Sequence, residues 1–180
     1  SPDASDFHVA QSGLLSRQAA PNHTTAYSAP AQSFELAEGE DALVVPLTWR
    51  DPSGLEVTKS YRFERGRYLV EVRHEISNGS AETWSGARYE QLQRVVPTDD
   101  DSSGFNNPER YSFRGVGFYS AEEKLEKIDL EDVADDPYQR TTTDGWLAMI
   151  QHYFLAAWIP APGEANNYST QVFAPDGRPR

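Results

Sequence analysis

Asp99, Asp101, Ser103 and Gly104 stand at the spacing with which a helix-flanked calcium loop begins, alternate oxygen ligands followed by a glycine that turns the chain. The twelfth position of such a loop needs a bidentate carboxylate, but here it is Arg110; Glu109 comes one place early and neither flank is helical in pattern. A solvated acidic loop is the simpler reading. The four histidines, His8, His23, His74 and His152, occur singly, at none of the spacings that aim two imidazoles at one metal. His74 alternates with apolar residues and His152 interrupts an apolar run, so each reads as a hydrogen-bonded core or boundary residue rather than a general base.

Other chemistries find less support. There is no G-x-S-x-G nucleophile elbow, and Gly115-Val116-Gly117 lacks the third glycine and the helix of a dinucleotide loop. The chain has no cysteine, which removes thiolate catalysis, thiolate-bound zinc and disulfides together. Paired carboxylates for sugar hydrolysis are uninformative here, because 28 acidic residues guarantee that some pair lies at a suitable separation. Trp49, Trp84, Trp146 and Trp158 could stack on sugar rings, but three of the four sit in apolar runs, where core packing accounts for them. The triplets opening at Asn22, Asn78 and Asn167 match the N-glycosylation pattern and read as turn residues.

The elements that would position these groups are strands. Leu43 to Trp49 is apolar, Asp51-Pro52-Ser53-Gly54 is a turn, and Leu55, Val57, Lys59, Tyr61 and Phe63 alternate, which predicts a β-hairpin over 43–64. Pro46 cannot donate to a ladder, so its strand belongs at a sheet edge or carries a bulge. After Arg65-Gly66, the alternation of Tyr68, Val70, Val72, His74 and Ile76 predicts a third antiparallel strand. Thr83 to Val96 keeps no single parity and reads as a strand with a bulge or break. Residues 97–110 form the longest loop candidate. Tyr111 to Tyr119 is a strand in which Gly115 and Gly117 imply a bulge or a close backbone approach. Ser120 and Glu123 hold the spacing of a capping box, but Leu125, Ile128 and Val133 supply too little for a long helix, so a helical turn and a short strand follow. Trp146 to Pro160 is almost wholly apolar, a buried helix or two buried strands.

Strand-forming residues and turns at short intervals favour an all-β class, and 180 residues suit one domain, 1–180, with a core of its own. The net charge of −12 repels phosphate backbones and anionic headgroups, and no basic patch offsets it. The acidic runs at Asp99–Asp101 and from Asp129 to Asp136 read as solvated loops. No stretch approaches the roughly 20 apolar residues of a membrane span, and Ser1 to Asp6 lacks the features of a signal peptide.

Two segments carry a family resemblance. Phe113-Arg114-Gly115-Val116-Gly117-Phe118-Tyr119-Ser120 with Glu122 to Lys127, and Asp144-Gly145-Trp146 through Trp158-Ile159-Pro160 with Asn166-Asn167-Tyr168, resemble the periplasmic domain of bacterial YidC-type membrane protein insertases. Weaker similarity runs through Gln11 to Leu14, Leu36 to Gly39 and Arg65 to Tyr68. The resemblance implies a β-supersandwich like that of galactose mutarotase, lying in the periplasm as part of an inner-membrane protein. It implies no catalytic residue, cofactor or metal, and contacts with the accessory proteins SecD and SecF of the Sec translocon. The expected contact surface is the stretch from about Gln91 to Ile128, with Gln91, Arg94, Arg110, Tyr111, Arg114, Tyr119, Lys124 and Lys127 as its candidates. By the same resemblance the domain extends beyond both ends of this chain, which leads us to expect uncovered edges and self-association. Two rivals remain: a sugar-binding or epimerising protein with a histidine and a carboxylate converging in a cleft, and a chaperone surface with an exposed apolar patch for nascent membrane proteins.

Overall fold

The computed structural model describes residues 7–95, 113–151 and 154–173, and these form strands, turns and a single 3₁₀ turn at Asp132–Ala134. The chain divides into two compact units, Ser12–Tyr89 and Ser1–Gln11 with Glu90–Arg180. Strands β1 (His8–Ser16) and β5 (Gly86–Arg94) pair with each other, and the division crosses both.

The Ser12–Tyr89 unit is built on three antiparallel strands, β2 (Ala42–Arg50), β3 (Leu55–Glu64) and β4 (Val70–Asn78), in the order β2-β3-β4. The hairpin and third strand expected from alternation are therefore present. The Asp51 side chain caps the hairpin turn by accepting the Ser53 amide at 2.9 Å, and Gly54 supplies the left-handed residue at φ +96°. The register sets Val57 between Trp49 and Ile76, and Lys59 between Leu47 and His74. Cross-strand partners share a face, so one side of this sheet carries Leu55 and Val57, both buried, and with them Lys59. Fully burying an aliphatic side chain such as Val57 stabilises by about 1.5–3 kcal/mol. Lys59 keeps its ammonium satisfied by donating to the Ser12 carbonyl at 2.8 Å. Pro46 lies on β2, an edge strand, where its missing N–H costs no ladder bond.

In the other unit, β6 (Arg114–Ser120), β7 (Lys124–Asp129), β9 (Trp146–Gln151) and β10 (Phe154–Trp158) form one sheet in the order β10-β9-β6-β7. Strands β8 (Gln139–Thr142) and β11 (Asn166–Ser169) pair beside it. Phe118, fully buried on β6, sits 5.0 Å centroid to centroid from both Tyr138 and Tyr168. Each tyrosine ties its hydroxyl back to the larger sheet's strands or their approach: Tyr138 donates to Glu126 Oε2 at 2.9 Å and Tyr168 to the Gly145 carbonyl at 2.6 Å. These two bonds hold the β8–β11 pair over the Phe118 face.

The apolar run from Trp146 resolves into two strands, in line with the family resemblance, but the expected burial fails at its second half. Phe154 is 78% exposed and Leu155 65%. The reason is position, since β10 is an edge of the sheet. Asn167 is also not a turn residue; it lies in β11, its Oδ1 accepting the Thr141 hydroxyl at 2.6 Å. Asn22 and Asn78 do cap turns, each accepting the amide two residues on. Ser120 Oγ accepts the Glu123 amide at 3.1 Å, but the chain turns at once into β7, with Lys124 at φ 63°. Within 83–95 the strand is the single nine-residue β5 rather than a broken one. The 97–110 loop, with its calcium-like spacing, and His152 lie outside the described residues.

The sheet edges differ in protection. The β2 edge has Pro46, β4 has Glu71, Arg73 and Glu75, and β7 has Lys124, Glu126, Lys127 and Asp129. Phe154-Leu155-Ala156-Ala157-Trp158 on β10 has neither charge nor proline.

Candidate functional site

Six of the eight candidate contact residues, Gln91, Arg94, Arg114, Tyr119, Lys124 and Lys127, fall on β5, β6 and β7. On β6, Gly115 and Gly117 fulfil the close approach read from sequence: a Cβ at Gly115 would lie 2.3 Å from the Ile128 carbonyl oxygen and 2.4 Å from the Phe113 ring, and one at Gly117 would lie 2.7 Å from Ile150 Cδ1. With Ala148 opposite Gly117, the small residues let larger neighbours lie flat along this face. Lys127, also opposite Gly117, places its ammonium 5.0 Å from the centre of the Phe113 ring. Tyr119 stacks on Trp146, with centroids 5.5 Å apart and planes 9° from parallel.

Tyr119 and Lys127 thus share one face of the sheet. Arg114 and Lys124 register on the other, with Val116 and Phe118; Arg114 is half-buried, and Lys124 folds back to donate to the Ala121 carbonyl at 2.7 Å. Gln91 binds Gln11 Oε1 at 2.6 Å through its amide, and its carbonyl accepts the Trp158 indole N–H at 3.0 Å. Arg94 is half-buried on β5; burial, and after it the charge of Arg94, pull the pKa of His8 down. Arg110 and Tyr111 lie outside the described residues. Around Tyr119 and Lys127 the same face presents Phe113, Trp146, Ile150, Leu125 and Leu155, the last two 46% and 65% exposed. Sequence reasoning singled out the polar members of this face and missed its apolar ones, although strand parity from Tyr119 through Gly117 marks them.

The other unit holds a cavity of about 380 Å³, lined by Gln18, Ala19, Asp51, Ser53, Leu55, Asn78, Ser80, Ala81, Glu82 and Trp84. It brings together two carboxylates and an indole but no histidine, so the acid–base pair needed for sugar epimerisation is not assembled there. His74 lies elsewhere, across from Lys59. Burial first, then the charges of Lys59 and Arg88, push its pKa down to about 4. Its Nε2 is buried and without a hydrogen-bond partner among the described residues, as are Ser12 Oγ and Tyr27 Oη. Burial raises the Tyr27 phenol to about 12. The expectation of a hydrogen-bonded His74 therefore fails at Nε2, and its charged surroundings are cationic rather than carboxylate. Trp49 and Trp84 belong to one unit, Trp146 and Trp158 to the other, each with its partner inside its own unit.

Among the described residues no helix is long and apolar enough to cross a membrane. The family model of the YidC periplasmic domain matches residues 1–177. The membrane protein insertase YidC of Thioalkalivibrio sulfidiphilus is 39% identical over 180 residues, covering 96% of this chain and 31% of its own length. That of Methylococcus capsulatus is 39% identical over 174 residues, with the same shares. That of Alkalilimnicola ehrlichii is 38% identical, covering 96% of this chain and 30% of its own. The chain therefore spans about a third of the length of these relatives. With the match running through nearly every described strand, the chain belongs to the YidC periplasmic domain family.

Proposed function

We propose that this domain is a non-catalytic interaction and scaffold module that assists membrane protein insertion and folding by docking SecD and SecF, accessory partners of the Sec translocon in the bacterial inner membrane. Both compact units serve as parts of one periplasmic domain in this reading. The observation that carries it is the Tyr119–Lys127 face: the Lys127 ammonium over the Phe113 ring, which lies against Gly115, and the Tyr119–Trp146 stack beside it offer a cation and aromatic surface to a protein partner. Gln91, Arg94, Arg114 and Lys124 remain candidates beyond this face, Arg114 and Lys124 registering on the opposite side of the sheet, with Arg110 and Tyr111 between β5 and β6 in sequence.

A second reading is favoured by exposed Leu125, Phe154 and Leu155, apolar groups suited to holding hydrophobic segments of nascent membrane proteins. Photo-crosslinking in native membranes separates the two. Probes at Tyr119, Lys127 and Leu125 of the full-length insertase, with controls at Glu56 and Arg62 in the β2–β3 hairpin, should give SecD or SecF adducts from the first set only. Adducts mainly with nascent chains would support the chaperone reading instead, and equal yields from the controls would refute a localised face.

A further inference from the structure

The cavity in the Ser12–Tyr89 unit has walls that are tied together and side-chain donors that mostly have protein acceptors. The Gly79 amide donates to the Gly54 carbonyl at 3.0 Å, joining the β2–β3 turn to the segment after β4. Gln18 Nε2 donates to the Thr83 carbonyl, Asn78 Nδ2 to the Glu82 carbonyl, and the Trp84 indole N–H to the Ala19 carbonyl at 3.0 Å. The Ser80 hydroxyl turns to Asn78 Oδ1, and Ser53 offers both its amide and its hydroxyl to Asp51. Those Ser53 bonds hold Asp51 below the usual carboxylate range, so it stays charged. The Glu82 carboxylate has no partner among the described residues, and none of the lining residues is Lys, Arg or His. Trp84 is fixed against the backbone of Gly86, where a Cβ would come within 2.4 Å of the ring.

A sugar needs donors as well as acceptors from its site, and here the Trp84, Ser80 and Ser53 donors face the walls, leaving one N–H each on Gln18 and Asn78 against two carboxylates. What remains is negative charge beside a half-buried indole, the combination that recognises an organic cation by charge and by cation–π attraction. The volume is at the small end for ligand sites and suits one side chain. A zwitterionic lipid headgroup would bring its phosphate towards the two carboxylates, which disfavours it. We propose that this cavity is a docking site for a basic side chain, arginine above lysine, of a polypeptide partner. The planar guanidinium stacks on Trp84 while its N–H groups meet Glu82 and Asp51.

The test is a titration of the ¹⁵N-labelled chain at low salt, following the Trp84 indole N–H signal, which Trp84→Phe assigns. The probes are N-acetyl-arginine amide, N-acetyl-lysine amide, the neutral N-acetyl-citrulline amide and glycerophosphoethanolamine. The expected result is a saturable shift of the Trp84 signal with the arginine and lysine probes, the other three indole signals unmoved, and none with citrulline. Glu82→Gln, which removes an exposed carboxylate without a fold partner, should weaken binding by about 2- to 5-fold. Asp51→Asn serves as a second variant, read only if its spectrum stays folded. No saturable shift with the arginine probe, an equal response to citrulline, an unchanged affinity in Glu82→Gln, or tighter binding of glycerophosphoethanolamine would each overturn the proposal.

Discussion

Acid should weaken this protein through one imidazole. His74 faces Lys59 across β3 and β4, and Lys59 is fixed in the interior by its bond to the Ser12 carbonyl. Its pKa stands near 4 when folded and returns to about 6.5 when the chain unfolds. The unfolded state therefore takes up the proton first as pH falls. Stability is full above pH 6.5, declines between 6.5 and 4, and has lost the whole contribution below 4. A shift of this size corresponds to about 3 kcal/mol at most. Solvent reaches part of the ring, so we reduce this to about 1–2 kcal/mol. Urea unfolding at pH 7.0 and pH 4.5 for the native chain and for His74→Gln isolates the effect, because the carboxylates titrate in both. The native chain should lose about 1–2 kcal/mol more than the variant over that interval. Equal losses, or an NMR titration placing His74 at pH 6 or above, would refute the reasoning.

Three further outcomes follow from packing and backbone. Phe118→Ala removes the ring held between Tyr138 and Tyr168 and should cost about 3–5 kcal/mol in denaturant unfolding, with the β8–β11 amides losing hydrogen-exchange protection first. Gly115→Ala drives a methyl into the Ile128 carbonyl, a backbone atom that cannot swing away, and should cost about 1–3 kcal/mol while leaving a folded chain; a neutral result would mean that β6 and β7 are not this close. Lys124→Gly relieves a left-handed backbone at the entry to β7 and should raise thermal stability by about 0.5–1 kcal/mol, measured by calorimetry.

The hairpin β2–β3 and strand β4 were legible because Leu55, Val57, Tyr61, Val72 and Ile76 alternate strictly and Asp51 to Gly54 can hardly be anything but a turn. Pro46 even marked the edge. Lys59 was in the right parity for the interior, but nothing local says that the Ser12 carbonyl, 47 residues away, would receive its ammonium. Strands β8 and β11 went unseen because Gln139-Arg140-Thr141-Thr142 and Asn166-Asn167-Tyr168-Ser169 have no apolar period; each becomes a strand only through the other. Strand β1 was hidden in the same way by its mixed His8–Ser16 composition. For the interaction face, the glycines at 115 and 117 announced a close approach, but which side chains would fill the space depends on β7 and β9, elements distant in sequence.

A sheet with one guarded and one bare margin has a direction of growth. Lys124, Glu126, Lys127 and Asp129 would meet an incoming strand with charge that must be stripped of water, whereas the margin from Phe154 to Trp158 asks for no such sacrifice. Two copies of this four-stranded sheet meeting bare margin to bare margin would obey a two-fold axis and turn the charged β7 margin of each outward. Growth of this sheet along that route would end at a pair, because the margins then left outward are the charged β7 strands.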